Sequence, residues 1–439
     1  MPKQEKIRPS IQSLLKRRAN LLGPNMSTFY DEPIHLVKGD GVWVWDATGR
    51  KYLDCYNNVP HVGHCHPKVV AAIAQQASML NTHTRYLHEG ILDYVEKLTG
   101  TFAPDLSMAI MTCTGSEAND IALRMAEAAT GKTGVIVTDN TYHGNTSAVS
   151  QLSCSNVPKV GSQDHVRFVP APDSYRPLGG VAGMPHAEIF AQKVEAAIID
   201  LEKSGPGFSA ILICPFFANE GFPDLPKGWL DPTEKVVRKA GGIIIADEVQ
   251  PGFGRIGTDM WGHQKIGLQA DIVTLGKPMA NGHPVAGVVT TPALMTAFRS
   301  AYRYFNTFGG NPVSMAAAMA TLQVLQEERL MENAKVVGEY AKDGLRKLAT
   351  KYDFIGDVRG AGLFFGAEFV LDKMTKEPAT KFANKVANKM RSEGILLSKL
   401  GIHYNTLKIR PSLQFSKENA DLLLTTLDKV LSETELIQG

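Results

Sequence analysis

The feature that most constrains this chain is an alternation beginning near residue 68, where apolar runs of strand length give way repeatedly to amphipathic segments of helix length. The strand candidates are 108–113, 134–138, 210–214, 242–246, 271–275 and 286–290. They are largely apolar on both faces, as expected of strands in a sheet covered by helices on both sides. The helix candidates between and after them include 117–129, 186–203, 232–240 and 311–327. This order predicts a large α/β domain over 68–330. In such sheets ligands collect where strands end and helices begin. Chemistry is therefore expected just after these strands.

The flanking segments read differently. Residues 34–55 alternate apolar and polar around turns at Gly39-Asp40-Gly41 and Thr48-Gly49, a pattern of short strands. Segment 1–67 is expected to pack with a smaller α+β domain over 331–439. That smaller domain reads as helix 331–350, strands near 354–371, helix 379–393, a strand near 406–410 and helix 417–433. The Pro/Gly-rich stretch 170–185 reads as a surface loop. The basic N-terminus has no continuous apolar core and is read as a surface helix rather than a secretory signal.

Composition narrows the partners. Of 439 residues, 46 are basic and 44 acidic, a net +2 that gives no reason to expect nucleic acid or a membrane surface. No apolar run is long enough to span a bilayer. The five cysteines, Cys55, Cys65, Cys113, Cys154 and Cys214, are an odd number, several in or beside apolar segments. They are read as reduced thiols in a cytoplasmic protein.

Three strand ends carry reactive residues. Thr112–Asn119 reads TCTGSEAN, where Gly115 permits a tight turn and Ser116 opens a helix whose free N–H groups suit a phosphate. Alone this is an ordinary capped helix. Asp247 ends the apolar run GGIIIAD, where a lone Asp could simply cap a turn. Lys277 follows the next strand between Gly276 and Pro278, with no solvated helix face to occupy. Together they are more specific. A pyridoxal cofactor needs an anion cradle, a carboxylate to keep its pyridine nitrogen protonated, and a lysine amine to form a Schiff base. Gly115-Ser116, Asp247 and Lys277 supply these in order. Tyr142-His143-Gly144, after another strand, would bring an aromatic ring to the cofactor face.

TGSEAN, YHG, ADEVQPGFGRIG, GKPMANGHPVAG and FNTFGGNP together resemble the successive motifs of class III (omega) pyridoxal-phosphate aminotransferases, from about Glu32 to the C-terminal helix. The resemblance implies a fold-type I enzyme, a homodimer or dimer of dimers, with pyridoxal 5′-phosphate as cofactor. It implies that Lys277 is the Schiff-base lysine and proton shuttle and that Asp247 pairs with the pyridinium nitrogen. Gln250 would sit near the ring's phenolic oxygen and Tyr142 would stack on the ring, with His143 beside it. Gly115 and Ser116 would bind the phosphate. Thr307 would reach the phosphate of the neighbouring subunit's cofactor. Arg410, in LKIRPSL, would hold a substrate carboxylate, a task suited to a guanidinium's parallel donors. The chain departs from the family where many members carry Glu-Pro: it has Cys214-Pro215, and Glu220 is a candidate gate for Arg410 by position only.

Three further signals are weighed against plainer readings. Gly252–Gly257 matches G-x-G-x-x-G, but residues 247–251 intervene after the strand and no clear helix opens behind it. It is read as a bend placing Asp247 and Gln250, not a dinucleotide site. The segment HVGHCHP (61–67) is rich in metal ligands but lacks a second ligand pair, so no metal is expected. In NTHTRYLHEG (81–90), Arg85 is read first as part of a polar interface loop and second as a substrate-binding residue. The expected reaction is transamination, moving an amino group from an amine or amino acid to an oxo acid such as pyruvate. The alternative is an ammoniophospholyase acting on phosphoethanolamine-like substrates, because NNVPHVGHCHP, NTHTRYLHEG and FNTFGGNPVS look especially like that branch.

Overall fold

A computed structural model describes residues 9–24, 26–153 and 163–435. Met1–Arg8 of the N-terminal reading, and Cys154, lie outside the described residues. The central layer is a seven-stranded sheet built from β1 (Met108–Thr112), β2 (Gly134–Thr138), β3 (Val166–Val169), β4 (Phe208–Ile213), β5 (Ile243–Asp247), β6 (Ile272–Leu275) and β7 (Ala286–Thr290). Their order across the sheet is β1-β7-β6-β5-β4-β2-β3. Only β7 runs against its neighbours, pairing antiparallel with β1 and β6. Every residue of β2, β4, β6 and β7 is buried, which is why these strands carry no polar face. Burying each Val, Leu or Ile contributes about 1.5–3 kcal/mol.

Helices cover the sheet, chief among them α1 (Gly115–Thr130) and α2 (Met184–Ser204). Two smaller sheets flank it. Leu36–Asp40, Trp43–Asp46 and Lys51–Asp54 form an antiparallel meander, and Ile395–Leu396 adds to it in parallel. Ile355–Ala361, Phe364–Phe369, Thr406–Lys408 and Ser398–Leu400 form the other. The strand Ile395–Leu396 thus ties the N-terminal meander to the C-terminal part of the chain. The helix Ile11–Leu22 buries none of its residues. Among the described residues no helix is long and apolar enough to cross a membrane.

Candidate active site

The carboxyl ends of the parallel strands open onto one cavity of about 200 Å³. Gly115, Ser116, Tyr142, His143, Asp247, Gln250 and Lys277 all line it, with Cys214, Asn219, Gly144 and Val249. Seven of the sequence candidates therefore share one cavity, delivered by the segments after β1, β2 and β6 and by the end of β5 with the bend behind it.

One end of the cavity is the start of α1. Thr114 caps it by accepting from the backbone N–H of Glu117 at 3.2 Å. The Glu117 carboxylate accepts in turn from the N–H groups of Cys113 and Thr114 at 2.9 and 3.0 Å. This capping box fixes the first turn and leaves the Gly115 and Ser116 N–H groups at the open positive end of the helix. Gly144 lies tight against it: with φ at +141°, a Cβ there would fall 2.5 Å from Ser116 Oγ. Gly276 allows a second close approach, where a Cβ would come within 3.5 Å of Gly115 Cα and 3.2 Å of Val249 Cγ1. The Lys277 turn is thereby laid beside the helix start.

The other end is Asp247, buried at the tip of β5. Its Oδ2 accepts from Asn119 Nδ2 at 3.0 Å and from His143 Nδ1 at 2.7 Å, and its Oδ1 from the Val249 N–H at 3.0 Å. Asn119 is itself oriented by Thr274, whose hydroxyl donates to Asn119 Oδ1 at 2.7 Å. Burial alone would raise the Asp247 pKa, but the bond to and charge of His143, with Lys277 and the Val249 N–H, hold it below the usual carboxylate range. Lys277 is exposed to the cavity that it lines. Burial, with Arg410 nearby, lowers its pKa from the ordinary lysine value against the pull of Asp247.

Arg410 lies behind Gln250. Its guanidinium donates to Gln250 Oε1 and more loosely to the Tyr56 carbonyl, at 3.4 Å. It also sits near the rings of Tyr56 and Phe364. Burial brings its pKa down to about 10. Lys408, which the sequence reading passed over, shares the same acceptor: its Nζ donates to Gln250 Oε1 at 3.3 Å. Burial, Arg410 and Lys277 push its pKa well below the ordinary value. The signal for it was available. Positions two apart on a strand share a face, so the Arg410 reading should have brought Lys408 with it.

Three candidates lie elsewhere. Glu220 is buried, but its carboxylate accepts from Thr138 Oγ1 at 2.7 Å and the Asn219 N–H at 3.0 Å. Arg410 goes to Gln250 and Tyr56 instead, so the expected Glu220–Arg410 gate is not assembled. The loop that carries Glu220 is closed by a Phe222 N–H bond to the Phe217 carbonyl, with both phenylalanines at positive φ. That turns Glu220 inward. Thr307 and Arg85 are exposed and line no part of this chain's own cavity. Arg85 stacks on Phe305, 3.9 Å from the ring centroid, so the two motifs form one surface.

The histidine-rich segment disperses its ligands. His61 bonds to the Phe253 carbonyl and Arg255, His64 to Asp54, and His66 to Glu328. Gly252–Gly257 folds as turns, and Arg255 from it donates to the carbonyls of Leu363 and Pro411. The loop therefore clamps the backbone beside Arg410 as well as following Asp247 and Gln250.

A family model described as aminotransferase class-III matches residues 26–431. The chain is 39% identical to an alanine–glyoxylate aminotransferase 2-like protein of Drosophila melanogaster, over 93% of this chain and 85% of that protein. It is 37% identical to an ethanolamine-phosphate phospho-lyase homolog of Caenorhabditis elegans, over 96% and 94%. Among solved structures, an Arthrobacter phospholyase in complex with phosphoethanolamine matches with a TM-score of 0.92 and 42% identity, covering 96% of this chain and all of that one. An (S)-enantioselective omega-transaminase from Thermomicrobium roseum matches with a TM-score of 0.85 and 28% identity, over 97% and 99%.

Proposed function

The chain belongs to the class-III aminotransferases, enzymes of mixed α/β fold type I that work with pyridoxal 5′-phosphate, and from that premise we propose that it releases phosphate and ammonia from a small phosphorylated amine of the phosphoethanolamine kind. The observation that carries this reading is the pair Lys408 and Arg410, two buried basic side chains that share one neutral acceptor, Gln250 Oε1. Neither has a carboxylate partner among the described residues. A single amide oxygen compensates a buried guanidinium poorly and leaves the neighbouring amine without an anion that would favour its charged form. A phosphate dianion entering beside Gln250 would satisfy both, whereas a single carboxylate needs only the guanidinium.

The residues present fit the cofactor: the open start of α1 suits a phosphate, a buried ionised carboxylate stands at the other end, and an amine of lowered pKa lies in the same cavity. When bound, pyridoxal phosphate supplies an aldehyde that takes up the substrate amine and a ring that accepts the electron pair released at the neighbouring carbon. Lys277 holds the cofactor through its Nζ and, once displaced, takes up the substrate's proton at that atom. Its lowered pKa leaves it free to do so. Asp247, held ionised chiefly by His143, holds the proton on the ring nitrogen. Gly115 and Ser116 bind the phosphate, Tyr142 covers the ring at the cavity mouth, and Gln250 orients the ring edge. Thr307 completes the phosphate site of a neighbouring copy, which makes the working enzyme a homodimer or a dimer of dimers. The cysteines Cys55, Cys65, Cys113 and Cys214 are all unpaired, in keeping with the cytoplasmic placement read from the sequence.

Transamination with an oxo-acid acceptor is the second reading. Arg410 favours it, since its paired donors match a carboxylate, and so does the likeness to aminotransferases. The test is to mix the holoenzyme with phosphoethanolamine and, separately, with simple amines plus pyruvate. Inorganic phosphate released without alanine formation supports the lyase. Alanine formation without phosphate release overturns it in favour of the transaminase.

A further inference from the structure

Gln250 is held from two opposite sides. Its Oε1 accepts from Arg410 Nη1 and from Lys408 Nζ, and its Nε2 donates to Asn219 Oδ1 at 3.2 Å. Arg410 dictates the orientation of both amides. A guanidinium only donates, so Gln250 must turn its oxygen to Arg410. Its nitrogen then faces Asn219, which must present oxygen in turn. An amide nitrogen has two N–H groups, so one is left for the cavity that Gln250 lines.

Asn219 is the fixed partner of the three. It lines the same cavity, on the loop after β4. The Asn219 N–H donates to Glu220 Oε2 at 3.0 Å, and the Asn219 carbonyl accepts from the Gly401 N–H at 3.2 Å. Arg359, ion-paired to Asp357 and Glu368, donates from Nε to the Gly221 carbonyl at 2.7 Å. Gly221 has φ at +118°, and a Cβ there would lie 3.0 Å from Arg359 Nη2, so the close approach needs glycine. The Phe222 N–H closes the loop on the Phe217 carbonyl at 2.9 Å. The buried Glu220 carboxylate, which does not reach Arg410, serves this loop by joining the Asn219 N–H to Thr138 Oγ1. Arg410 is held more loosely: apart from Gln250, its hydrogen bonds go to the Tyr56 carbonyl at 3.4 Å.

We propose that Asn219 is a positioning residue that tethers Gln250 while Arg410 leaves it for the anionic group of the substrate. An anion that takes Arg410 must break the bond to Gln250 Oε1. An untethered Gln250 side chain could follow the guanidinium and compete with the anion for it. Held by its nitrogen to a pinned loop, Gln250 stays at the edge of the cofactor site and the anion gains the guanidinium. This rests on the reading that Arg410 meets the substrate's anion, whether phosphate or carboxylate.

The test is a double-mutant cycle read by anion affinity. Inorganic phosphate and, separately, acetate are titrated into the holoenzyme against the visible absorption of the bound cofactor. In Asn219→Leu the dissociation constant of the bound anion should rise about two- to tenfold, as for the loss of a neutral hydrogen bond. Gln250→Met removes the competitor and should bind the anion at least as tightly as the unaltered enzyme. Asn219→Leu added to Gln250→Met should then change the constant by less than about twofold. Asn219→Ala gives the same cycle should Asn219→Leu not fold. An equal rise in both backgrounds means that Asn219 acts without Gln250 and overturns the tether, and so does no rise in either. Arg410→Ala should weaken anion binding about tenfold or more, as for a charge-assisted bond. Unmoved affinity in Arg410→Ala takes the anion away from Arg410 and overturns that reading and the tether together. Loss of coupling while Arg410→Ala still weakens binding overturns the tether alone, so the two can be told apart.

Discussion

Lys277 and Asp247 were legible because each breaks a rule its neighbours obey: a charged residue at the end of an otherwise apolar buried strand, or two residues beyond it. Their proposed roles are open to direct test. Lys277→Ala should still bind pyridoxal phosphate through the helix start and Asp247, but form no borohydride-reducible link. A reduced adduct mapped to another lysine would displace Lys277 from the centre. Asp247→Asn should keep the fold and lose most turnover, because a neutral amide cannot hold the ring proton, and near-normal activity would remove Asp247 from the site. The direction of Glu220 was not legible, and Lys408 was legible only through its two-residue spacing from Arg410. A lysine in the core strand LKI reads as an edge residue until the fold shows it fully enclosed. The inward turn of Glu220 depends on positive φ at two phenylalanines, which no propensity suggests. Lys408→Met should cost the phosphorylated substrate about one to two decades in kcat/KM, as for a charge-assisted bond worth about 1.5–3 kcal/mol. Removing a buried amine whose only acceptor among the described residues is an amide oxygen should leave thermal stability unchanged or raised. Unchanged kcat/KM for the phosphorylated substrate would detach Lys408 from substrate binding.

At the scale of elements, the core strands were readable and the marginal ones were not. Strands buried on both faces announce themselves as apolar runs. β3 was missed because it is a four-residue edge strand with two half-buried positions. Ile395–Leu396 and Ser398–Leu400 are too short to carry a period. Sequence reading placed the helix opening TGSEAN at Glu117, two residues late, because the capping box lets the helix begin at Gly115 itself. That shift matters, since it puts Gly115 and Ser116 in the first turn. Thr114→Ala removes the cap, a loss of about 1 kcal/mol in helix-start stability. If the phosphate depends on that first turn, cofactor affinity measured by spectral titration should fall by roughly fivefold. Unchanged affinity would separate the cap from the phosphate site.

The whole molecule leaves an apolar surface where residues 83–86 meet Phe305. Tyr86, Leu87, Phe305 and Phe308 are 66%, 100%, 44% and 68% exposed, and Met79 and Leu80 are exposed nearby. His83 joins the two segments, stacked on Tyr86 and edge-on to Phe305. Single exposed apolar residues are ordinary, but a cluster of this size on one face marks a contact surface. Thr307 stands in the middle of it, on a loop held down by Gly309 and Gly310, whose missing side chains let the backbone lie against Met111 at the end of β1. It cannot serve the cavity of its own chain, which it does not line, but a two-fold partner would bring it to the neighbouring one, since two-fold interfaces are reciprocal. A dimer should therefore be present in sedimentation at assay concentration, and a fully active monomer would refute it. The sharper test is complementation. Lys277→Ala lacks the amine and Thr307→Asp places a negative charge against the phosphate, so each homodimer should be inactive. Co-expressed, they form a mixed dimer in which one site has Lys277 from one chain and Thr307 from the other, and activity should return to about a quarter of that of the unaltered enzyme if the chains pair at random. If Thr307 acts within its own chain, no site in the mixture is intact and nothing returns.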